Sequence, residues 1–172
     1  MNRPYRFEER EQKMKRKTLV VDLNLCTGCR VCELRCAFQH HRECNPSKSR
    51  IKVVKLDRAG VSVPLFCQNC EEAFCQQNCP TRAIQRDGKT GALVIREEKC
   101  VGCRACTMVC PFSALQVLPD RKVVKCDYCG GDPYCVKYCE TGALKYVDEE
   151  DAGGWKAYPV AEKFGASYLK RE

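Results

Sequence analysis

The sequence predicts an α+β fold of low regular content, organised as two nested, pseudo-symmetric modules of short hairpins and short helices. Three observations predict it. The cysteines fall in four regular quartets, the segment after the last cysteine repeats in three of them, and the strand-like runs between quartets are only a few residues long.

Cysteine usage sets the frame. The chain has 17 cysteines in 172 residues, a density that in a short chain means cross-links or bound metal rather than ordinary packing. The count is odd, and the start, MNRPYRFEEREQKMKRKTLVVDL, holds neither the apolar run of a secretory signal nor a twin-arginine pair. No stretch approaches the ~18 apolar residues of a membrane span. A cytoplasmic, reducing setting is therefore expected, and there metal is the use that cysteine finds.

The quartets are Cys26, Cys29, Cys32, Cys36; Cys67, Cys70, Cys75, Cys79; Cys100, Cys103, Cys106, Cys110; and Cys126, Cys129, Cys135, Cys139, with Cys44 alone outside. Their spacings are C-x2-C-x2-C-x3-C, C-x2-C-x4-C-x3-C-P, C-x2-C-x2-C-x3-C-P and C-x2-C-x5-C-x3-C. All open with C-x2-C and close with C-x3-C, which marks an internal repeat. The repeat runs past the thiols. Cys79-Pro80-Thr81-Arg82-Ala83-Ile84, Cys110-Pro111-Phe112-Ser113-Ala114-Leu115 and Cys139-Glu140-Thr141-Gly142-Ala143-Leu144 share cysteine, three residues, alanine, aliphatic. Strands are expected after them at Leu93 to Ile95, past a turn at Asp87-Gly88, at Leu115 to Leu118 and at Leu144 to Val147. The unit reads as ligand loop, short helix, strand.

This spacing suits a cubane [4Fe-4S] cluster. Cysteines at every third position let the chain curl around the cluster and supply three of its four iron ligands, while backbone amides in the loop turn toward sulfur. Gly28 and Gly102, in C-x-G-C, let that turn close without a Cβ clash. Structural zinc uses two well-separated pairs, and a third cysteine so close behind is not part of that pattern. The last thiol of such a run ligates the other cluster of a pair, and it is expected to start a short helix that leads away from its own loop. Quartets therefore come in partners. The second and third, both followed by proline (Pro80 and Pro111) and joined by a segment long enough for a hairpin and return, are expected to pair. The first and fourth are left to pair around the outside.

The order CTGCRVCELRC, CQNCEEAFCQQNCPTRAI, CVGCRACTMVCP and KCDYCGGDPYCVKYCETGAL resembles the four-cluster ferredoxin-type electron-transfer subunits of the dimethyl sulfoxide reductase iron–sulfur family. The resemblance covers roughly 18–147. It implies two nested ferredoxin-like two-cluster modules: an outer one over 18–66 and 112–147 and an inner one over 67–111, with a basic arm over 1–17 and a partner-docking tail over 148–172. It also implies four [4Fe-4S] clusters. Cluster 1 takes Cys26, Cys29, Cys32 and Cys139; cluster 2 takes Cys126, Cys129, Cys135 and Cys36. Cluster 3 takes Cys67, Cys70, Cys75 and Cys110; cluster 4 takes Cys100, Cys103, Cys106 and Cys79. Three features depart from the family: a shorter middle loop in the fourth quartet, Glu140 in place of proline, and no large insertion or membrane-anchor contact segment. In compactness, and in CTGCRVCELRCAFQHH, the chain looks more like the small subunits accompanying tungsten aldehyde oxidoreductase-type catalytic subunits, including the benzoyl-CoA reductase kind.

The function this implies is a non-catalytic redox subunit. All-cysteine ligation leaves no open iron for a substrate, and the sequence holds no P-loop, no G-x-G-x-x-G cradle and only His40 and His41 as histidines. The expected partners are a large tungsten- or molybdenum-pterin oxidoreductase subunit and a second redox subunit or ferredoxin. A freestanding polyferredoxin, or an electron-transfer partner of carbon monoxide dehydrogenase or hydrogenase, is the alternative. The formal charge of +8 does not argue for nucleic acid, because four oxidised clusters with their thiolates contribute about −8. The basic residues from Arg3 to Lys17 are expected to form a solvated or partner-draped arm. Cys44 is expected to be uninvolved, and His40 and His41 to be surface or interface residues with cluster tuning as the alternative. Arg50 to Leu56 and Val61 to Phe66 read as a hairpin around Asp57-Arg58-Ala59-Gly60. Trp155, Tyr158, Phe164, Tyr168 and Leu169 give the tail its aromatic character. So thin an apolar core needs metal to stand.

Overall fold

The computed structural model describes residues 16–153. The basic residues from Arg3 to Lys15 and the aromatic residues of the tail lie outside the described residues. Within them, eight short strands pair into four separate two-stranded antiparallel ribbons. β1 (Lys17–Val21) pairs with β8 (Leu144–Asp148), from Lys17 opposite Asp148 to Val21 opposite Leu144, and so ties the two ends of the described chain together. β2 (Lys52–Leu56) and β3 (Val61–Leu65) form the expected hairpin, closed by Gly60 at φ 62° with its N–H donating to Asp57 O at 3.2 Å. β4 (Ile84–Arg86) pairs with β5 (Leu93–Ile95). β6 (Gln116–Val117) pairs with β7 (Val123–Val124). The strand expected over Leu115 to Leu118 is shorter because the chain already turns at Leu118, whose carbonyl accepts from Arg121 N–H at 2.9 Å.

Four helices stand beside these ribbons. α1 (Val31–His41) is the long one and carries Cys32 and Cys36 one turn apart, hence on one face. α2 (Phe74–Gln77), α3 (Ala105–Met108) and α4 (Tyr134–Lys137) are single turns holding Cys75, Cys106 and Cys135. A lone helical turn is unstable by itself, so these stand on the packing around them. Cys79, Cys110 and Cys139 follow the helices rather than starting them, which corrects the expected order. Each sits at the head of a tight turn in which its carbonyl accepts from the N–H three residues on: Arg82 at 3.1 Å, Ser113 at 3.2 Å and Gly142 at 2.9 Å. All three of those residues have positive φ (51°, 47° and 65°). Proline after the cysteine disfavours further helix, but Glu140 makes the same turn without it, so the turn's own hydrogen bond decides the geometry.

The turn then delivers Ala83, Ala114 and Ala143, and after them Ile84, Leu115 and Leu144, into the interior, where all six are buried. There are two small cores. One gathers Leu19, Ile51, Val53, Phe66, Tyr128 and Leu144 with Cys32, Cys36 and Cys135; the other gathers Ala73, Ile84, Leu93, Leu115 and Val123 with Cys75. The thiols belong to the cores themselves. Glu33, fully buried in α1, accepts from Arg30 Nε at 2.8 Å and from Val53 N–H at 2.7 Å, which fastens β2 to the helix and satisfies an otherwise costly charge.

Candidate metal centres

Each quartet begins with the same backbone bend. The third residue of the C-x2-C segment is left-handed in all four: Gly28 at φ 68°, Asn69 at 48°, Gly102 at 68° and Tyr128 at 58°. Only two are glycine. Asn tolerates this region; Tyr128 is held there by burial, by a 3.2 Å hydrogen bond between its hydroxyl and Thr18 Oγ1, and by the Tyr146 ring 5.3 Å away. The loops then diverge. After C-x2-C, the first and third quartets enter their helix at once through a left-handed arginine, Arg30 or Arg104. The second and fourth take a longer detour and enter their helices through an extended residue, Ala73 or Pro133.

Three compact cavities are each lined by three cysteines of one quartet and one of another. Cys26, Cys29 and Cys32 share a cavity with Cys139; Cys67, Cys70 and Cys75 share one with Cys110; Cys100, Cys103 and Cys106 share one with Cys79. Each is small, about 20 Å³. The remaining four act on one another electrostatically: Cys135 responds to Cys126, Cys36 and Cys129, and Cys126 to Cys36 and Cys129. The groups also adjoin in sequence. Cys135 feels Cys32, Cys106 feels Cys75, and the Tyr128 hydroxyl feels both Cys126 and Cys67.

Burial dominates the thiol chemistry. It pushes Cys32 up to about 12 and Cys106 and Cys129 up to about 11, and it raises Cys36, Cys75, Cys126 and Cys135 as well, with neighbouring thiolates adding to the rise in all of these but Cys36. So many thiolates can share these sites only with cationic metal among them. Burial would also raise Cys79, but hydrogen bonds from the Thr81 hydroxyl and from backbone amides, Ala83 N–H among them at 3.2 Å, bring it below its ordinary value. The sulfurs of Cys36, Cys67 and Cys139 likewise accept backbone N–H from Arg50 (3.3 Å), Asn69 (3.4 Å) and Leu144 (3.5 Å). Such donors stabilise thiolate and tune a bound cluster.

The thiols suit a multi-iron group better than a single ion. Tetrahedral zinc with ~2.3 Å bonds would hold its sulfurs about 3.8 Å apart. Among the described residues, no three cysteine sulfurs lie within 4.8 Å of one another. None of the cysteines is in a disulfide. Sulfurs spread around a small cavity, with inward backbone donors, fit a [4Fe-4S] cubane.

Cys44 is exposed. His40 is not a surface residue: its Nε2 lies 3.6 Å from Cys129 Sγ and 3.6 Å from Asp127 Oδ1, and burial lowers its pKa to about 4. These three side chains lie close enough to hold an ion, but Asp127 is already engaged by Arg50 at 2.6 Å. The sequence reading passed over Asn69, Lys125 and Tyr128. The available signal was the departure from C-x-G-C, as CQNC and CDYC, at the two loops where a side chain is needed.

Residues 59–149 match the family described as the 4Fe-4S dicluster domain. The chain is 41% identical over 141 residues, 80% of its length and 81% of the relative's, to the "aliphatic sulfonate oxidoreductase, polyferredoxin-like subunit" of Pyrococcus furiosus. It is 37% identical over 145 residues, 77% of its length and 90% of the relative's, to the "putative electron transport protein YsaA" of Escherichia coli. Among solved structures, one chain of the "active site complex BamBC of benzoyl coenzyme A reductase" with zinc is 30% identical, each chain covered to 90%, at a TM-score of 0.48. The match over residues 59–149, with the quartets and their shared cavities, makes the chain a member of the 4Fe-4S dicluster domain family.

Proposed function

We propose that this chain is an electron-transfer subunit carrying four [4Fe-4S] clusters, with Cys26, Cys29, Cys32 and Cys139 on the first, Cys126, Cys129, Cys135 and Cys36 on the second, Cys67, Cys70, Cys75 and Cys110 on the third, and Cys100, Cys103, Cys106 and Cys79 on the fourth. The relatives named as electron transport and polyferredoxin-like proteins support the class. A bound cluster supplies one-electron storage at a potential set by its surroundings. What the chain contributes is order. The carrying observation is that, among the sixteen quartet cysteines, only Cys29 and Cys103 are exposed, one in the first quartet and one in the third. The two clusters they hold are thus the terminals of a row whose middle is insulated.

Apolar side chains frame both terminals. Leu25, Leu34 and Tyr138 are exposed near the first; Val101 and Met108, 69% and 87% exposed, stand at the last, with Arg104, Arg121 and Lys122 beside Val101 in an open groove. Exposed apolar groups rimmed by charge are the make-up of protein-docking surfaces. One terminal meets a large oxidoreductase subunit of the tungsten- or molybdenum-pterin type, and the other a second redox subunit or soluble carrier. No described helix is long and apolar enough to cross a membrane.

Anaerobic native purification followed by metal analysis tests this. About 16 iron per chain is expected from four cubanes, with a brown absorption band and tungsten or molybdenum in a co-purifying large subunit. A colourless zinc protein would overturn the reading, and about 12 iron would mean one quartet is empty. Nickel in the partner would point to hydrogenase or carbon monoxide dehydrogenase, and purification alone to a freestanding polyferredoxin.

A further inference from the structure

Lys125 is 2% exposed, yet its ammonium has no carboxylate partner among the described residues. It follows β7 and directly precedes Cys126. Its Nζ donates to Leu93 O at 2.5 Å, to Asn69 Oδ1 at 2.8 Å and, more weakly, to Cys126 O at 3.4 Å. Neutral oxygens satisfy its protons but leave its charge. A buried charge without a counterion is expensive, so an anion must stand near.

The surroundings identify that anion. Asn69 belongs to the Cys67–Cys70 loop, and its N–H donates to Cys67 Sγ at 3.4 Å. Cys126 belongs to the other middle quartet. Lys125 therefore lies between the two buried sets of thiols and reaches into the loops of both.

We propose that Lys125 is the built-in countercharge of the two middle clusters, raising their reduction potentials above those of the two terminals so that the centre of the row holds electrons. This rests on the four-cluster reading above. A fixed positive charge in a dry interior favours the more negative, reduced state of whatever cluster it faces, and the favour is strong because no water screens it. The terminals face solvent through Cys29 and Cys103 and have no such neighbour among the described buried residues. The wire then accepts electrons at one exposed end, stores them centrally and releases them when a partner at the other end can take them.

The test is a redox titration of the intact iron-loaded protein, followed by electron paramagnetic resonance, comparing wild type with Lys125→Met and Lys125→Arg. Methionine keeps the apolar stem and loses the charge; arginine keeps the charge. With iron per chain unchanged in both, the two highest midpoint potentials are expected to move to more negative values in Lys125→Met, the two lowest to stay, and Lys125→Arg to remain near wild type. Unshifted potentials in Lys125→Met at full iron would overturn the proposal while leaving the four-cluster function standing. Fewer than four clusters in the wild type would instead remove that function. Should Lys125→Met fail to retain iron, the wild-type order decides. The first cluster reduced is then expected to vanish in Cys75→Ser or in Cys135→Ser and to survive in both Cys29→Ser and Cys103→Ser, and the reverse pattern overturns the proposal.

Discussion

The four cysteine loops are of two kinds, and each kind occurs once in every cross-lined pair. The loops at Cys26–Cys32 and Cys100–Cys106 are tight, bend at a glycine, enter their helices through Arg30 and Arg104, and expose a cysteine each. The loops at Cys67–Cys75 and Cys126–Cys135 are longer, bend at Asn69 and Tyr128, and bury Cys67, Cys75 and Cys135. The same backbone bend thus serves opposite ends. At Gly102 the bend faces solvent and glycine is the cheapest residue for it, whereas at Gly28 the bend is buried against Ser62 and leaves no room for a Cβ. In the two longer loops, a side chain that can hydrogen-bond to a distant segment offsets the strain of positive φ. Tyr128 reaches Thr18, and Asn69 receives Lys125 and Leu93 N–H.

Removing iron anaerobically with a chelator is the severest test of this contrast. The described cores are small and include the thiols themselves, so the whole fold is expected to be lost, seen as collapse of the far-ultraviolet circular dichroism signal and of amide protection. Amides of the middle loops that stayed protected would show that packing, rather than ligation, holds the middle.

Single cysteine changes come next. Cys75→Ser and Cys103→Ser should each cost about four iron per chain, but only Cys103→Ser should do so while leaving the Asn69, Lys125 and Tyr128 join untouched. Cys139→Ser separates own-loop from cross-loop ligation: it is expected to damage the cluster of Cys26, Cys29 and Cys32 and spare that of Cys126, Cys129 and Cys135, by electron paramagnetic resonance and iron content. Loss confined to the latter cluster would refute the exchange of the fourth thiol.

Smaller effects probe the exposed ends. Met108→Glu should leave iron content unchanged and weaken the complex with the redox partner by on the order of tenfold, measured by co-purification or surface binding. Gly28→Ala and Gly102→Ala both place a Cβ at φ 68°, which costs about 1–2 kcal/mol. At Gly102 the Cβ meets open space, whereas at Gly28 it would lie 2.2 Å from Ser62 Oγ. Gly28→Ala is therefore expected to speed iron loss more than Gly102→Ala, and equal rates would mean that the hairpin of Ser62 yields freely.

Much of the fold's repeat was legible because it is local. Cysteine, three residues, alanine, aliphatic dictates a tight turn followed by two buried side chains, and Ala83-Ile84, Ala114-Leu115 and Ala143-Leu144 all follow it. The β2–β3 hairpin was legible for the same reason, from Asp57 to Gly60 between two apolar runs. The placement of the fourth cysteine relative to its helix was not, because a single helical turn has too little periodicity to date its own start. The surroundings of His40 were hidden too, since Cys129 and Asp127 come to it from the far end of the sequence.

By itself the sequence determined what is set within a few bonds: sixteen thiols in four quartets, three loop lengths, and the turn that follows three of the four. Only the tertiary structure decided which loops face solvent, which thiols from distant quartets share a cavity, and where Lys125 goes. Those depend on the pairing of β1 with β8 and on the burial of the two longer loops against each other, and no local spacing encodes a contact between residues as far apart as Asn69 and Lys125. Ligand chemistry is written in short-range order, whereas insulation and charge are properties of what the fold packs around it.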